Sequence, residues 1–272
     1  MIVHLSSATV RRRAGRGTGG LNRSVFLRPI AHRGLHDKAG GRVENSAAAF
    51  RAAIGRGYGI ECDLQAACDG TPMVFHDDRL ERLVGTKGRI SRQAPADLAR
   101  LRYKGQDAQQ DAHILSFAEL LDLVAAQVPL LVEVKTNSAT PLEPFLERIA
   151  HHARAYQGPI GLMSFDRTVV AALGKLAPTV PRGPVIGSHQ LPARWWAAPG
   201  AAGPATIGRL FNRVAAGSGF LAVEVRMLRA ARAFIRAQAL ELPLFGWTIR
   251  TPRERATAAR FADAPIFEGY LP

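Results

Sequence analysis

Cysteine is scarce: Cys62 and Cys68 are the only two in 272 residues, too few for a disulfide framework and not in a CxxC metal spacing. A stapled secreted scaffold is therefore excluded, a reducing cytoplasm is the expected setting, and both thiols read as small apolar packing groups. No run of about 18 consecutive apolar residues occurs, so neither a spanning helix nor a stable membrane anchor is expected. The first 24 residues also lack the apolar stretch of a secretory signal. Acid is in short supply, with 22 Asp and Glu against 36 Lys and Arg for a net charge of +14. Arg11, Arg12, Arg13, Arg16 and Arg23 fall among residues 1–24 with no acid beside them, which reads as a flexible basic tail and leaves +9 for residues 25–272. That excess favours anionic partners, including phosphorylated substrates. No basic stripe with interleaved aromatics accompanies it, so nucleic acid is not expected as a partner.

What the chain does have, from Leu27 onward, is an alternation of short β-rich runs with helical patterns, as in successive βα units around a parallel sheet. Eight strands are expected, at Pro29–Arg33, Tyr58–Gln65, Pro129–Lys135, Pro159–Phe165, Gly183–Gly187, Phe220–Val225, Leu244–Ile249 and Ala264–Glu268. Helices are expected at Ser46–Gly55, Phe117–Ala126, Leu142–Ala155, Arg167–Leu176, Met227–Leu240 and Pro252–Phe261. Ser116 and Glu119 form a capping-box pair, and Pro252 suits a first helical turn. The fold class is α/β, a (βα)8 TIM barrel. Residues 78–113 are too long for an ordinary barrel loop and read as a small insertion subdomain after the second strand, over the barrel mouth. Gln190–Gly219, with Trp195 and Trp196, reads as a Pro/Gly-rich loop, and the barrel's last helix is expected to be missing or replaced.

The chemistry-bearing residues gather at strand ends. Glu61 and Asp63 lie two apart on one strand and so share a face; Glu133 and Lys135 repeat the device on the next parallel strand, where an ordinary buried strand would be apolar throughout. Asp69-Gly70 is a preferred two-residue hairpin turn, which sets Cys68 opposite Thr71 and His76 opposite Asp63. His32, Arg33 and Gly34 end the first strand at the same rim, where barrel enzymes carry their active groups. Three carboxylates supply hard oxygen donors suited to a divalent cation, Mg²⁺ or Ca²⁺. Arg33 and Lys135 can neutralise an anionic substrate, and two histidines can act as general acid and base. Asn45 can cap the following helix and Glu44 can brace Arg33. His36, His113, His151, His152 and His189 have no motif partner and receive no role.

This set resembles the glycerophosphodiester phosphodiesterase family. The resemblance rests on His32-Arg33-Gly34, Glu44-Asn45-Ser46, Ile60-Glu61-Cys62-Asp63, Asp69-Gly70, Val74-Phe75-His76-Asp77, Glu133-Val134-Lys135, Ser164-Phe165 and Gly246-Trp247-Thr248. It implies His32 and His76 as the catalytic pair, Glu61, Asp63 and Glu133 as metal ligands, and Arg33 and Lys135 as phosphate-holding groups. Trp247 would lie at the glycerol pocket; Glu44 and Asn45, by the bracing and capping given above, read as structural support ahead of substrate contact. The implied activity is metal-dependent hydrolysis of a small-molecule glycerophosphodiester to sn-glycerol 3-phosphate and an alcohol. Lysophospholipase D or sphingomyelinase D-like activity, and a non-catalytic barrel that binds phosphodiesters, are the alternatives. Arg250 stands where the family often has asparagine, and Ile266-Phe267-Glu268-Gly269-Tyr270 stands in for a Thr-Asp-x-Pro ending, which leaves barrel closure and the leaving-group pocket open.

Overall fold

The computed structural model describes residues 20–104, 112–137, 139–190, 211, 215 and 217–272. Its strands are β1 (Ile30–Ala31), β2 (Gly59–Ala66), β3 (Pro72–Val74), β4 (Leu130–Val134), β5 (Ile160–Ser164), β6 (Arg182–Ile186), β7 (Leu221–Glu224), β8 (Leu244–Ile249) and β9 (Ala264–Phe267). All except β3 run parallel, and β9 pairs with β1, which pairs with β2, so eight strands close into the expected barrel. The unusual ending of the last strand does not prevent closure: Ile30 and Ala31 register with Ile266 and Phe267, and His32 N donates to Phe267 O at 2.9 Å. After β9 no helix follows among the described residues, and Arg255 lies over the Tyr270 ring at 4.7 Å.

Strand period two sorts the side chains. On β2 and β4, Ile60, Cys62, Leu64, Leu130, Val132 and Val134 are in the core that also holds Phe50 and Ala53 of α2 (Ala47–Ile54), the helix that follows the short α1 (Arg23–Phe26). Leu120 and Val124, from the helix Phe117–Val124, belong to the same core. The alternate positions turn inward. There Leu131, Met163, Val185, Phe220, Phe245 and Ile266 form a separate apolar plug, each worth about 1.5–3 kcal/mol for full burial of a large side chain. One step further along the strands the inward positions become Glu61, Asp63 and Glu133. Cys62 packs as expected, whereas Cys68 is exposed and is not a packing residue. Leu21 and Phe26 are buried in the plug cluster, so the chain joins the barrel a few residues earlier than the charge pattern of the tail suggests. Trp195, Trp196 and residues 1–19 lie outside the described residues.

Local signals act as their chemistry dictates. Ser116 and Glu119 make a reciprocal capping box, and Thr251 with Glu254 makes a second one in front of Pro252. Ser46, not Asn45, caps α2, accepting from Ala49 N, which leaves Asn45 free for another partner. The β2–β3 hairpin corrects the sequence expectation. Its register pairs Leu64 with Val74 and Ala66 with Pro72, and Ala67 N donates to Thr71 O at 2.9 Å, so the loop holds three residues with Gly70 at φ +84°. Phe75, not His76, therefore stands opposite Asp63, donating to its carbonyl at 3.0 Å. Because β3 ends at Val74, the slip does not commit His76 to a sheet face. The insertion builds its own small core from Leu80, Leu83, Ile90, Leu98 and Tyr103 against Phe75 and Ile114.

Candidate active site

A cleft of about 290 Å³ is lined by His32, Arg33, Glu61, His76, Glu133 and Lys135 on one side and by Phe165, His189, Trp247 and Arg250 on the other. Every candidate acid, base and cation from the sequence except Asp63 lines it directly. Asp63 lies within the carboxylate cluster: one oxygen from each of Glu61, Asp63 and Glu133 falls within 4.8 Å of the others, and all three residues are buried. The β2–β4 register places Asp63 directly beside Glu133.

Burying three carboxylates together is costly unless positive charge is supplied. Burial, reinforced by Asp63 and Glu133, pushes the Glu61 carboxyl well above its ordinary range. Glu133 is also raised by burial, despite Lys135. Asp63 goes the other way: burial would raise it, but Lys135 and Arg33 together hold it down to about 2. Lys135 Nζ donates to Glu133 Oε1 at 2.6 Å and lies 3.2 Å from Asp63 Oδ1. Among the described residues, Glu61 has no side-chain cation that close and accepts only the Arg33 N–H, at 2.9 Å. A hard divalent cation fits this oxygen set, and its charge would offset the repulsion that falls on Glu61.

The chain path to this point requires left-handed backbone. Arg33 has φ +56°, Gly34 φ +76° and Asn45 φ +57°, conformations that cost non-glycine residues and concentrate at working sites. Asn45 uses its geometry to hold Asp63, with Nδ2 donating to Oδ2 at 2.8 Å while Asp63 N donates back to Oδ1 at 3.3 Å. A Cβ on Gly34 would stand 2.9 Å from the Ala49 carbonyl carbon and Cβ. Gly34→Ala is therefore expected to destabilise the fold by about 1–3 kcal/mol, read as a lower urea midpoint with an unchanged slope.

Each histidine is anchored through Nδ1 to a carboxylate: His32 to Glu268 Oε2 at 2.6 Å, His76 to Asp77 Oδ1 at 2.7 Å. Burial lowers both imidazoles from their ordinary value against the pull of those partners, so both favour the neutral form. Nε2 is the nitrogen left for exchange, and His32 Nε2 lies 3.9 Å from Glu61 Oε2. Sequence reasoning missed Glu268 as a site residue, having met it only as a departure from a motif. It also missed Arg82 of the insertion, which donates to Asp77 at 2.5 Å and to both Glu44 oxygens at 2.9 and 2.8 Å. Glu44 also accepts from Arg33 at 2.7 Å, as the bracing expectation required. An ionic chain thus runs from Arg33 to His76. Arg33 Nε lies 3.3 Å from Asp63 Oδ2 but out of hydrogen-bonding alignment, leaving a buried donor without an acceptor among the described residues.

The opposite wall is aromatic. Phe165 meets Trp247 edge-on at 5.4 Å and His189 at 4.9 Å, and Trp247 Nε1 is buried without a partner among the described residues. The site is thus a cationic, carboxylate-floored pocket on one side and an amphipathic wall with a spare N–H donor on the other. Among the described residues, no helix is long and apolar enough to cross a membrane.

Residues 32–267 match the model of the glycerophosphoryl diester phosphodiesterase family. A Mycobacterium tuberculosis protein named probable glycerophosphodiester phosphodiesterase 1 is 29% identical over 171 residues, covering 56% of this chain and 61% of the relative, so the match spans less than two thirds of that protein. Among solved structures, an Oleispira antarctica phosphodiesterase in complex with the product sn-glycerol-3-phosphate superposes with a TM-score of 0.70 at 20% identity, covering 88% of this chain and 92% of that one. A Thermotoga maritima glycerophosphodiester phosphodiesterase superposes at 0.64 and 19% identity over 89% and 94%. At these identities the superpositions speak to the fold.

Proposed function

The chain belongs to the glycerophosphoryl diester phosphodiesterase family, and from that premise we propose that it hydrolyses glycerophosphodiesters to sn-glycerol 3-phosphate and an alcohol, using a divalent cation and two histidines. The observation that carries the reading is the meeting of two carboxylate-anchored histidines with a buried three-carboxylate floor and two cations at one barrel mouth. The product named in the Oleispira antarctica structure supports the same substrate class.

Glu61, Asp63 and Glu133 would hold the cation, with Asn45 fixing Asp63. When bound, Mg²⁺ or Ca²⁺ supplies Lewis-acid polarisation of a phosphate oxygen. The spare Arg33 Nε donor and the Lys135 ammonium receive the other anionic oxygens, in a pocket where burial strengthens the attraction. One imidazole Nε2 accepts the proton of the attacking hydroxyl; the other, entering protonated, gives its proton to the departing alkoxide. The attacking hydroxyl is either water or the substrate's own neighbouring group, and the intramolecular route gains about 7–11 kcal/mol from orientation. Trp247 Nε1 and the Phe165 face suit a glycerol moiety, polar along one edge and apolar along the other.

Glu268 acts on the reaction through His32, holding the proton on Nδ1 so that Nε2 can accept. Glu268→Gln keeps the shape but can offer an amide donor to Nδ1, reversing the tautomer. The expected result is a fall in kcat of about 10-fold to 100-fold with little change in KM. The substrate assignment is tested by comparing glycerophosphocholine with lysophosphatidylcholine under the same cation concentration. Faster release of sn-glycerol 3-phosphate from glycerophosphocholine supports the reading; preferential cleavage of lysophosphatidylcholine to choline would replace it with lysophospholipase D activity.

A further inference from the structure

We propose that His32, His36 and Glu268 form a second metal site, selective for a borderline ion such as Zn²⁺, whose filling shuts down the catalytic centre; the shutdown rests on the function proposed above, the binding does not. One donor atom from each of the three residues lies within 4.8 Å of the others, and all three are half-buried or buried. Glu268 Oε2 is the hub, 2.6 Å from His32 Nδ1 and 3.9 Å from His36 Nε2. Two imidazoles and one carboxylate, with a fourth position for water, are a donor set that Zn²⁺ accepts tetrahedrally at about 2.0–2.2 Å. Donors in such a shell stand about 3.4 Å apart by that geometry. His32 and Glu268 must therefore open by less than an ångström, on the order of 0.8 Å, and His36 close by on the order of 0.5 Å. Arg250 also holds Glu268, donating from Nε to Oε1 at 3.0 Å and from Nη2 to the hub oxygen Oε2 at 3.1 Å. Its positive charge weakens the site and sets the affinity below that of a dedicated structural zinc.

The two metal sites differ in chemistry. The floor of the cleft offers carboxylate oxygens only, which suit Mg²⁺ or Ca²⁺, whereas the rim offers two imidazole nitrogens, for which those hard ions have little affinity. Sharing of His32 links the sites. In the free protein the His32 Nδ1–H points at Glu268 and leaves Nε2 with a lone pair. Zinc can take the Nδ1 lone pair only if the ring's single proton moves from Nδ1 to Nε2, relayed by solvent, so the metal-bound ring is the neutral Nε2–H tautomer. The imidazole then has no lone pair to receive a proton and no imidazolium proton to lose, so neither acid nor base catalysis remains. The left-handed turn at Arg33 and Gly34 returns the chain so that His36 approaches Glu268, which gives an otherwise roleless histidine a position within reach of the reaction.

The test uses the full chain with saturating Mg²⁺ and added ZnCl₂, comparing wild type with His36→Ala and His36→Gln, variants outside the catalytic machinery. Zinc bound per chain is measured by competition with a chromophoric chelator, and hydrolysis of glycerophosphocholine is followed in parallel. Wild type is expected to bind one more equivalent of Zn²⁺ than either variant, and the variants to need at least tenfold more Zn²⁺ for half-inhibition at unchanged basal rate. Equal zinc stoichiometry and affinity in wild type and variants overturns the site. Weaker binding in the variants with identical inhibition curves overturns the shutdown, since zinc would then act at the carboxylate floor. Absence of phosphodiesterase activity in all three proteins contradicts the function proposed above and leaves the zinc stoichiometry to decide the site by itself.

Discussion

Replacing His76 by alanine is expected to lower kcat for glycerophosphocholine by about 10²–10⁴ while leaving KM nearly unchanged. The histidine lines the cleft, yet its ring is held from behind by Asp77, so its loss removes a proton carrier without removing a phosphate-binding charge. His32→Ala should give a loss of the same order, because His32 stands in the mirror arrangement with Glu268 behind it. The double variant should be only slightly worse than either single one, since acid and base serve one displacement and fail together. Stopped-assay kinetics on purified variants with unchanged melting temperature would check this; a KM increase with intact kcat would mean that the histidines bind substrate rather than move protons.

The second large effect concerns Glu61, for which activity and stability are expected to move in opposite directions. Glu61→Gln removes one cation ligand and should take turnover to near background. In cation-free protein the same change should raise the melting temperature by several degrees, at roughly 2–4 °C per kcal/mol. Glu61 is buried beside two other carboxylates and is raised well above the ordinary 4.5. A carboxyl whose folded value is raised contributes its stability at pH below 4.5 and loses it as pH climbs through the folded value. The melting-temperature gap between variant and wild type should thus be absent near pH 4.5 and widen toward pH 8. Adding Mg²⁺ or Ca²⁺ should close it by stabilising wild type alone. A variant less stable than cation-free wild type at pH 8 would contradict this electrostatic account of the floor.

Much of this architecture is legible in the sequence. All eight barrel strands lie where alternation between apolar runs and helical patterns put them, and the spacing of Glu61 with Asp63 fixed two carboxylates on one inward face. The hairpin expectation failed by one residue because Asp69-Gly70 suits two loop lengths: Gly70 in the left-handed region also closes a three-residue loop. Asn45 was assigned to a helix cap because the residue type permits it, but Ser46 competes for the same post one position later. Glu268 was invisible as a partner of His32 for a different reason. The two are 236 residues apart and meet only because the last strand closes on the first, and no local pattern encodes a contact that depends on closure. Arg82 is hidden in the same way, since the insertion's fold and not its composition carries it to Glu44 and Asp77. The sequence departures at Arg250 and Glu268 turn out to be bonded to each other, at 3.0 and 3.1 Å, so two separate irregularities are one local solution.

The account stands most directly on the initial rate of sn-glycerol 3-phosphate release from glycerophosphocholine by the wild-type chain, measured with Mg²⁺ or Ca²⁺ and again after treatment with excess EDTA. It predicts release of choline and sn-glycerol 3-phosphate in equal amounts, loss of the rate on chelation, and its return when the cation is restored. A rate unchanged by EDTA, or no release of sn-glycerol 3-phosphate with either cation, would contradict it.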